Sequence, residues 1–195
     1  MEITPQDQKT ILRFVKRGVA ASSSKLAAIS RTVWDIRGIS LEACARPEDC
    51  AQLKEPSESY LGAYCQAPGK LFLAFFSELS AARITLPLLS GGAGGRLSTP
   101  QRREAAVAEV ANIVINAVAD ALAEPGGMAV ILSAPKCVRG QRSDIIKAAF
   151  GNLFPCGRIF SVFIQMASQE IAADCTLLMM LDDVNVNFLL QHPEA

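Results

Sequence analysis

A chain of 195 residues, half of them hydrophobic, is long enough to close one domain, residues 1–195, around a substantial core. Its 19 acidic and 19 basic side chains cancel, which leaves no charge excess for gripping nucleic acid or an anionic membrane. The first twenty residues are polar and charged, no uninterrupted apolar run approaches the roughly 20 residues that span a bilayer, and the six cysteines lack metal-ligand spacing. A cytoplasmic protein with reduced, mostly buried thiols is therefore expected.

Residues 5–32 read as a long helix. Thr4-Pro5-Gln6 supplies its entry, with Thr at the N-cap and Pro at the first helical position. Segments 39–44, 60–66 and 70–76 then carry strand character, and 78–89 a short helical pattern. Ser90-Gly91-Gly92-Ala93-Gly94-Gly95 reads as a flexible joint; it lacks the Gly-Lys-Ser/Thr of a phosphate loop. The entry signal recurs as Thr99-Pro100-Gln101, 95 positions after the first, and opens a second long helix over 100–124. Strands are predicted at 128–133, 157–167 and 175–181, and a closing helix at 184–191. The order α-β-β-β-α thus occurs twice, in half-repeats of about 1–90 and 96–195. This predicts an α+β fold by pseudo-twofold duplication. Three strands per half would merge into a six-stranded, mainly antiparallel sheet with the two long helices on one face. Runs such as Leu71-Phe72-Leu73-Ala74-Phe75-Phe76 are apolar at every position, as in strands buried from both sides.

The second long helix carries the chemistry. Advancing about 100 degrees per residue from Glu109 places Asn112, Asn116 and Asp120 within roughly 60 degrees of it, with Ala105 and Arg102 on the same stripe. Val107, Ala111, Val114, Val118 and Leu122 form the opposite, core-facing stripe. Glu109 and Asn112, three apart, set an acid beside a carboxamide. Such a pair can grip a cation and orient a water with no metal, cysteine or histidine of its own. Twenty-two residues separate Asn112 from Pro135.

Here the chain resembles the CheC/CheX/FliY phosphatases of bacterial chemotaxis. Their signature is Asp or Ser, three residues, Glu, two residues, Asn, twenty-two residues, Pro. Glu109, Asn112 and Pro135 match three of its four fixed points, and the text Glu109-Val110-Ala111-Asn112-Ile113-Val114-Ile115-Asn116-Ala117 looks like the family's second active-site helix. The resemblance extends over nearly the whole chain and implies a CheC-like pseudo-twofold fold. The first fixed point departs: it falls on Ala105, with Arg102 the neighbouring polar side chain. The first half departs further, since the offset of 95 maps Glu109 to Phe14, expected in the core, and Asn112 to Arg17. A single-site member is expected.

The resemblance implies a hydrolase acting in two-component signalling on a CheY-like response regulator phosphorylated on aspartate. The regulator would supply the acyl phosphate, its own Mg²⁺ and a lysine; this chain would need no cofactor. Asn112 would orient the attacking water, Glu109 would bind the regulator's lysine, and Pro135 would end the strand after the helix and shape the site's rim. The competing reading is a non-catalytic CheC-like adaptor that binds a response regulator or a CheD-type deamidase. The chain shows neither a C-terminal switch-type domain nor an N-terminal regulator-binding peptide, so a complete flagellar switch protein is not expected.

Other features take structural readings. Lys136, Arg139, Arg142 and Lys147 read as a solvated loop or a docking patch for an acidic pocket. His192 reads as a tail residue, Ser22-Ser23-Ser24 as small residues at helix packing, and Met179 and Met180 as core. Cys137, next to Lys136, is a candidate for thiolate character.

Overall fold

The computed structural model describes residues 3–44, 58–90, 99–124, 130–151, 153–154 and 158–192. The joint predicted at 90–95 therefore lies, apart from Ser90, outside the described residues. In chain order the elements are α1 (Pro5–Ser30), β1 (Asp35–Cys44), β2 (Tyr60–Ala67), β3 (Lys70–Ser77), α2 (Glu78–Ser90), α3 (Pro100–Ala123), β4 (Lys136–Gly140), α4 (Arg142–Phe150), β5 (Ile159–Ser168), β6 (Ala173–Asp182) and α5 (Asp183–Gln191).

Both long helices begin as their sequences dictate. Thr4 Oγ1 accepts from Asp7 N at 3.2 Å while Asp7 accepts from Thr4 N at 2.9 Å, a complete capping box. Thr99 Oγ1 accepts from Arg102 N at 3.3 Å, and Pro100 occupies the first turn. α1 stops where Arg31 turns left-handed at φ 58° and its N–H reaches Ala27 O at 2.8 Å.

The six strands form one antiparallel sheet in the order β1-β5-β6-β3-β2-β4. Exchanging β1 with β4, β2 with β5 and β3 with β6 returns the same order read backwards, the pattern that duplication requires. The seam between the halves is the β3–β6 pair, from Lys70↔Leu181 to Phe75↔Thr176. Each half's third strand runs directly into a capped helix: Ser77 Oγ accepts from Ser80 N at 3.2 Å, and Asp182 Oδ1 accepts from Asn185 N at 2.8 Å. Each closing helix then grips the other half. Ser80 Oγ donates to Asp174 at the start of β6, and Asn185 Nδ2 donates to Gly69 O, beside the start of β3, at 3.2 Å.

α1 and α3 lie together on one face, as expected. There Phe14, Val107, Val114 and Val118 pack with Phe72, Phe76, Leu177 and Met179. The helices cross closely because Gly18 has no side chain; a Cβ there would lie 3.0 Å from Val118 Cα and 3.3 Å from Ala121 Cβ. Ser22 Oγ, buried in this contact, donates to Val114 O at 2.8 Å, so the serine run does serve helix packing. By length and composition α3 is a helix that could cross a membrane, but its apolar residues follow one stripe and half of that stretch is buried within the fold.

The second half departs from expectation in three ways. The strand predicted at 128–133 is not formed: the described residues 130–135 have no regular structure, and β4 lies at Lys136–Gly140. Within the apolar run, Val130 and Leu132 pack on the core while Ile131 is 84% exposed. Ser133 nevertheless fastens this segment to β2, its N–H donating to Gln66 O at 2.8 Å and its Oγ accepting from Gln66 N at 3.0 Å. Pro135 consequently precedes a strand instead of ending one, a position where a residue without an N–H costs the ladder nothing. Finally, α4 interrupts the repeat. It covers the opposite sheet face with Ile145, Ile146 and Ala149, which join Tyr64, Leu71, Phe75 and Met180 in a second core layer. A Cβ on Gly62 would meet Ile145 Cγ2 at 2.5 Å, so that glycine is required for α4 to seat. Lys136 and Arg139 thus lie on a strand, and Arg142 and Lys147 on a helix.

Candidate functional site on the outer face of the third helix

All five residues of the core stripe of α3, Val107, Ala111, Val114, Val118 and Leu122, are buried. That burial fixes the rotation of the helix and turns the opposite stripe outward. Glu109 and Asp120 are exposed, Asn112 and Asn116 half-exposed, and Ala105 exposed. Asn112 is therefore not sealed inside the domain.

Its carboxamide is held. Asn116 Nδ2 donates to Asn112 Oδ1 at 3.0 Å and to Asn112 O at 2.8 Å, one turn back along the helix. Asn112 Oδ1 keeps a second lone pair, and among the described residues its Nδ2 meets no protein partner. Glu109, one turn before Asn112, makes no ion pair or side-chain hydrogen bond among the described residues. The pair lines neither of the two described cavities. A carboxylate and an oriented amide standing on a convex helix face cannot enclose a substrate. They can enter a pocket belonging to another molecule.

Pro135 is not on this helix. It leads into β4, the edge strand beside β2, with Lys136 opposite Tyr64. β4 is tied to the first turns of α3 by Arg139, which bonds Glu78 and lies 3.4 Å from Glu104. These half-exposed bridges contribute little stability each, but they join α2, α3 and β4 at one end of the site. Cys137 sits half-buried within the same join. Burial first, and Glu104 second, push its thiol up to about 11, a direction opposite to the candidate thiolate character.

The first-half equivalents are lost. Phe14 is fully buried, as expected, and Arg17 reaches across to Glu124 near the end of α3 at 2.7 Å. No acid and carboxamide stand three residues apart on α1. His192 caps the end of α5, its Nδ1 2.9 Å from Phe188 O and its ring against Phe188. Met179 and Met180 are buried in β6. Among the described residues no group of three or more His, Cys, Asp or Glu side chains is placed to hold a metal ion. The role of Asn116 could have been found in sequence, since two carboxamides four apart on one face are within bonding reach.

No protein-family model matches the chain, and no curated protein matches it in sequence. Solved structures do match. FliY from Thermotoga maritima superposes with a TM-score of 0.69 at 15% identity, covering 98% of each chain. The FliM middle domain from H. pylori gives 0.63 at 11%, covering 97% of this chain and 99% of that one. The chemotaxis protein CheX from Desulfovibrio desulfuricans gives 0.56 at 11%, covering 87% and 99%.

Proposed function

As a chain with the CheC/CheX/FliY fold, this protein is, we propose, a phosphatase of an aspartyl-phosphorylated, CheY-like response regulator. The observation that carries this reading is the outward-facing Asn112 carboxamide, restrained by Asn116 beside Glu109, which makes no ion pair among the described residues. In this reaction a water oxygen attacks phosphorus, the bond to the regulator's aspartyl oxygen breaks, and the aspartate leaves. The regulator brings the acyl phosphate, its Mg²⁺ and a lysine. Asn112 accepts a hydrogen bond from the attacking water through the free lone pair of Oδ1, which leaves a water lone pair directed at phosphorus. An amide is too weak a base to take the proton, so its contribution is alignment. Glu109 meets the regulator's lysine and sets the docking register. Pro135 contributes no chemistry; it opens the edge strand beside the helix. The substrate places the reaction in the cytoplasm.

A second reading, a non-catalytic adaptor for a response regulator or a CheD-type deamidase, is favoured by three observations. Ala105 cannot supply the polar group of the signature, Phe14 fills the core, and Arg17 is committed to Glu124. A panel of phosphorylated receiver domains, each mixed with catalytic amounts of the protein, separates the two. Accelerated phosphate release from one receiver supports the phosphatase. Stable co-purification with a receiver or deamidase and unaltered decay supports the adaptor.

A further inference from the structure

At the far end of α3, about 15 Å along the axis from Asn112, lies a cavity of about 370 Å³. Leu122, Val130, Leu181, Phe188 and Leu189 supply its walls. Two residues at this cavity, Ile131 and Val184, are 84% and 74% exposed, an arrangement without internal benefit to the fold. Among the described residues two polar side chains line it, Lys70 and Asn185. The Asn185 amide nitrogen is spent on Pro68 O, Gly69 O and Asp182. The Lys70 ammonium has no hydrogen bond or ion pair among the described residues, and burial holds its pKa below the usual lysine value, partly offset by Asp182. Asp182 Oδ1 caps α5, accepting from both Asn185 N and Asn185 Nδ2.

We propose that this cavity binds a small amphipathic carboxylate, its aliphatic chain against Leu122, Leu181 and Leu189 and its carboxylate on Lys70. The volume falls in the range of small-molecule sites, and a mostly apolar wall with one directed polar group is their usual composition. A half-buried ammonium that makes no hydrogen bond or ion pair among the described residues, and feels Asp182 only at longer range, gains more from an anion than a solvated one does, because little water remains to compete. The site is separate from Glu109 and Asn112 and does not depend on the phosphatase reading.

The test is methyl-resolved NMR of the full chain titrated with octanoate and, separately, with 1-octanol. Both are expected to shift the methyl groups of Leu122, Val130, Leu181 and Leu189 saturably, with octanoate about tenfold tighter. Lys70→Met should remove that preference and leave octanol within twofold of wild type. Val184→Glu, at an exposed position, should weaken octanoate selectively. Absence of saturable shifts below about 5 mM overturns the proposal, as does equal affinity for the two ligands or binding at other residues. Contacts from the Met128 methyl to Leu122 and Leu189 in the free protein, undisturbed by octanoate, would assign the cavity to the chain itself and also overturn it.

Discussion

Asn116 holds Asn112 by two hydrogen bonds, 3.0 Å to its side-chain oxygen and 2.8 Å to its main-chain oxygen. The first removes a rotational freedom that would otherwise have to be frozen on docking. If Asn112 orients a water, Asn116 is its positioning residue. Asn116→Ala is expected to lower kcat for receiver dephosphorylation by about tenfold with KM unchanged. The Asn112 side-chain amide should become more mobile by NMR relaxation while thermal stability holds, since alanine is a better helix former. An unchanged kcat together with an unchanged amide would refute this role.

Asn112→Ala is expected to lose a hundredfold or more in turnover with the fold intact, because the residue is half-exposed and its stripe is not the packed one. Decay of a phosphorylated receiver, followed with catalytic protein, reads this directly. Turnover like that of the wild type would remove Asn112 from the chemistry.

Glu109→Lys should act differently. Replacing a free carboxylate by a like charge against the regulator's lysine is expected to raise KM at least tenfold, with kcat far less affected. Added salt should narrow the gap between the two proteins. A loss confined to kcat would argue against a docking role.

Two core positions give a stability check on the duplicated helices. Phe14→Ala should cost about 3–5 kcal/mol, the range for deleting a fully buried aromatic side chain. Gly18→Val should cost about 1–3 kcal/mol, because the added atoms press on the backbone of Val118, which cannot rotate away. Urea unfolding measures both; a stabilised Gly18→Val would mean that α1 and α3 lie farther apart.

Alkaline sensitivity is the second expectation beyond the site itself. Burial pushes the thiols of Cys65 and Cys137 up to about 11, and that of Cys175 higher still, from the ordinary thiol value of 9.0. Between pH 9 and 11 the folded chain keeps protons that the unfolded chain has released, so stability falls as pH rises through that window. Melting temperature measured from pH 8 to 11 should decline, and replacing the three cysteines by alanine should flatten the decline. At pH 8 Cys137 should alkylate slowly; fast labelling would place it in a more open setting.

The residues of the site were legible because helix rotation is fixed by apolar periodicity: burying Val107, Val114 and Val118 leaves Glu109 and Asn112 no other direction. The repeated Thr-Pro-Gln entry marked both long helices for a similar reason, since capping chemistry is local. What failed was the stretch around Pro135. The apolar run at 128–133 looked like a strand, yet β4 forms in Lys136–Gly140, where an edge strand needs few apolar side chains. α4 escaped notice because only Ile145, Ile146 and Ala149 face the sheet, and no cap residue marks its start. Both misreadings concern elements whose existence depends on a surface supplied from far away in the chain.

β1 has its described strand partner far downstream. Asp35 lies opposite Ala167, 132 positions later (167 minus 35). At ribosomal rates of about 5–20 residues per second, the emerging strand waits roughly 7–26 s for β5 to exist. Throughout that interval it is a nascent segment with an unfilled edge, guarded by the charges of Arg37 and Glu42. The outer strand of this sheet is thus made long before the strand it leans on, and translation interrupted before Ile159 leaves it without that neighbour.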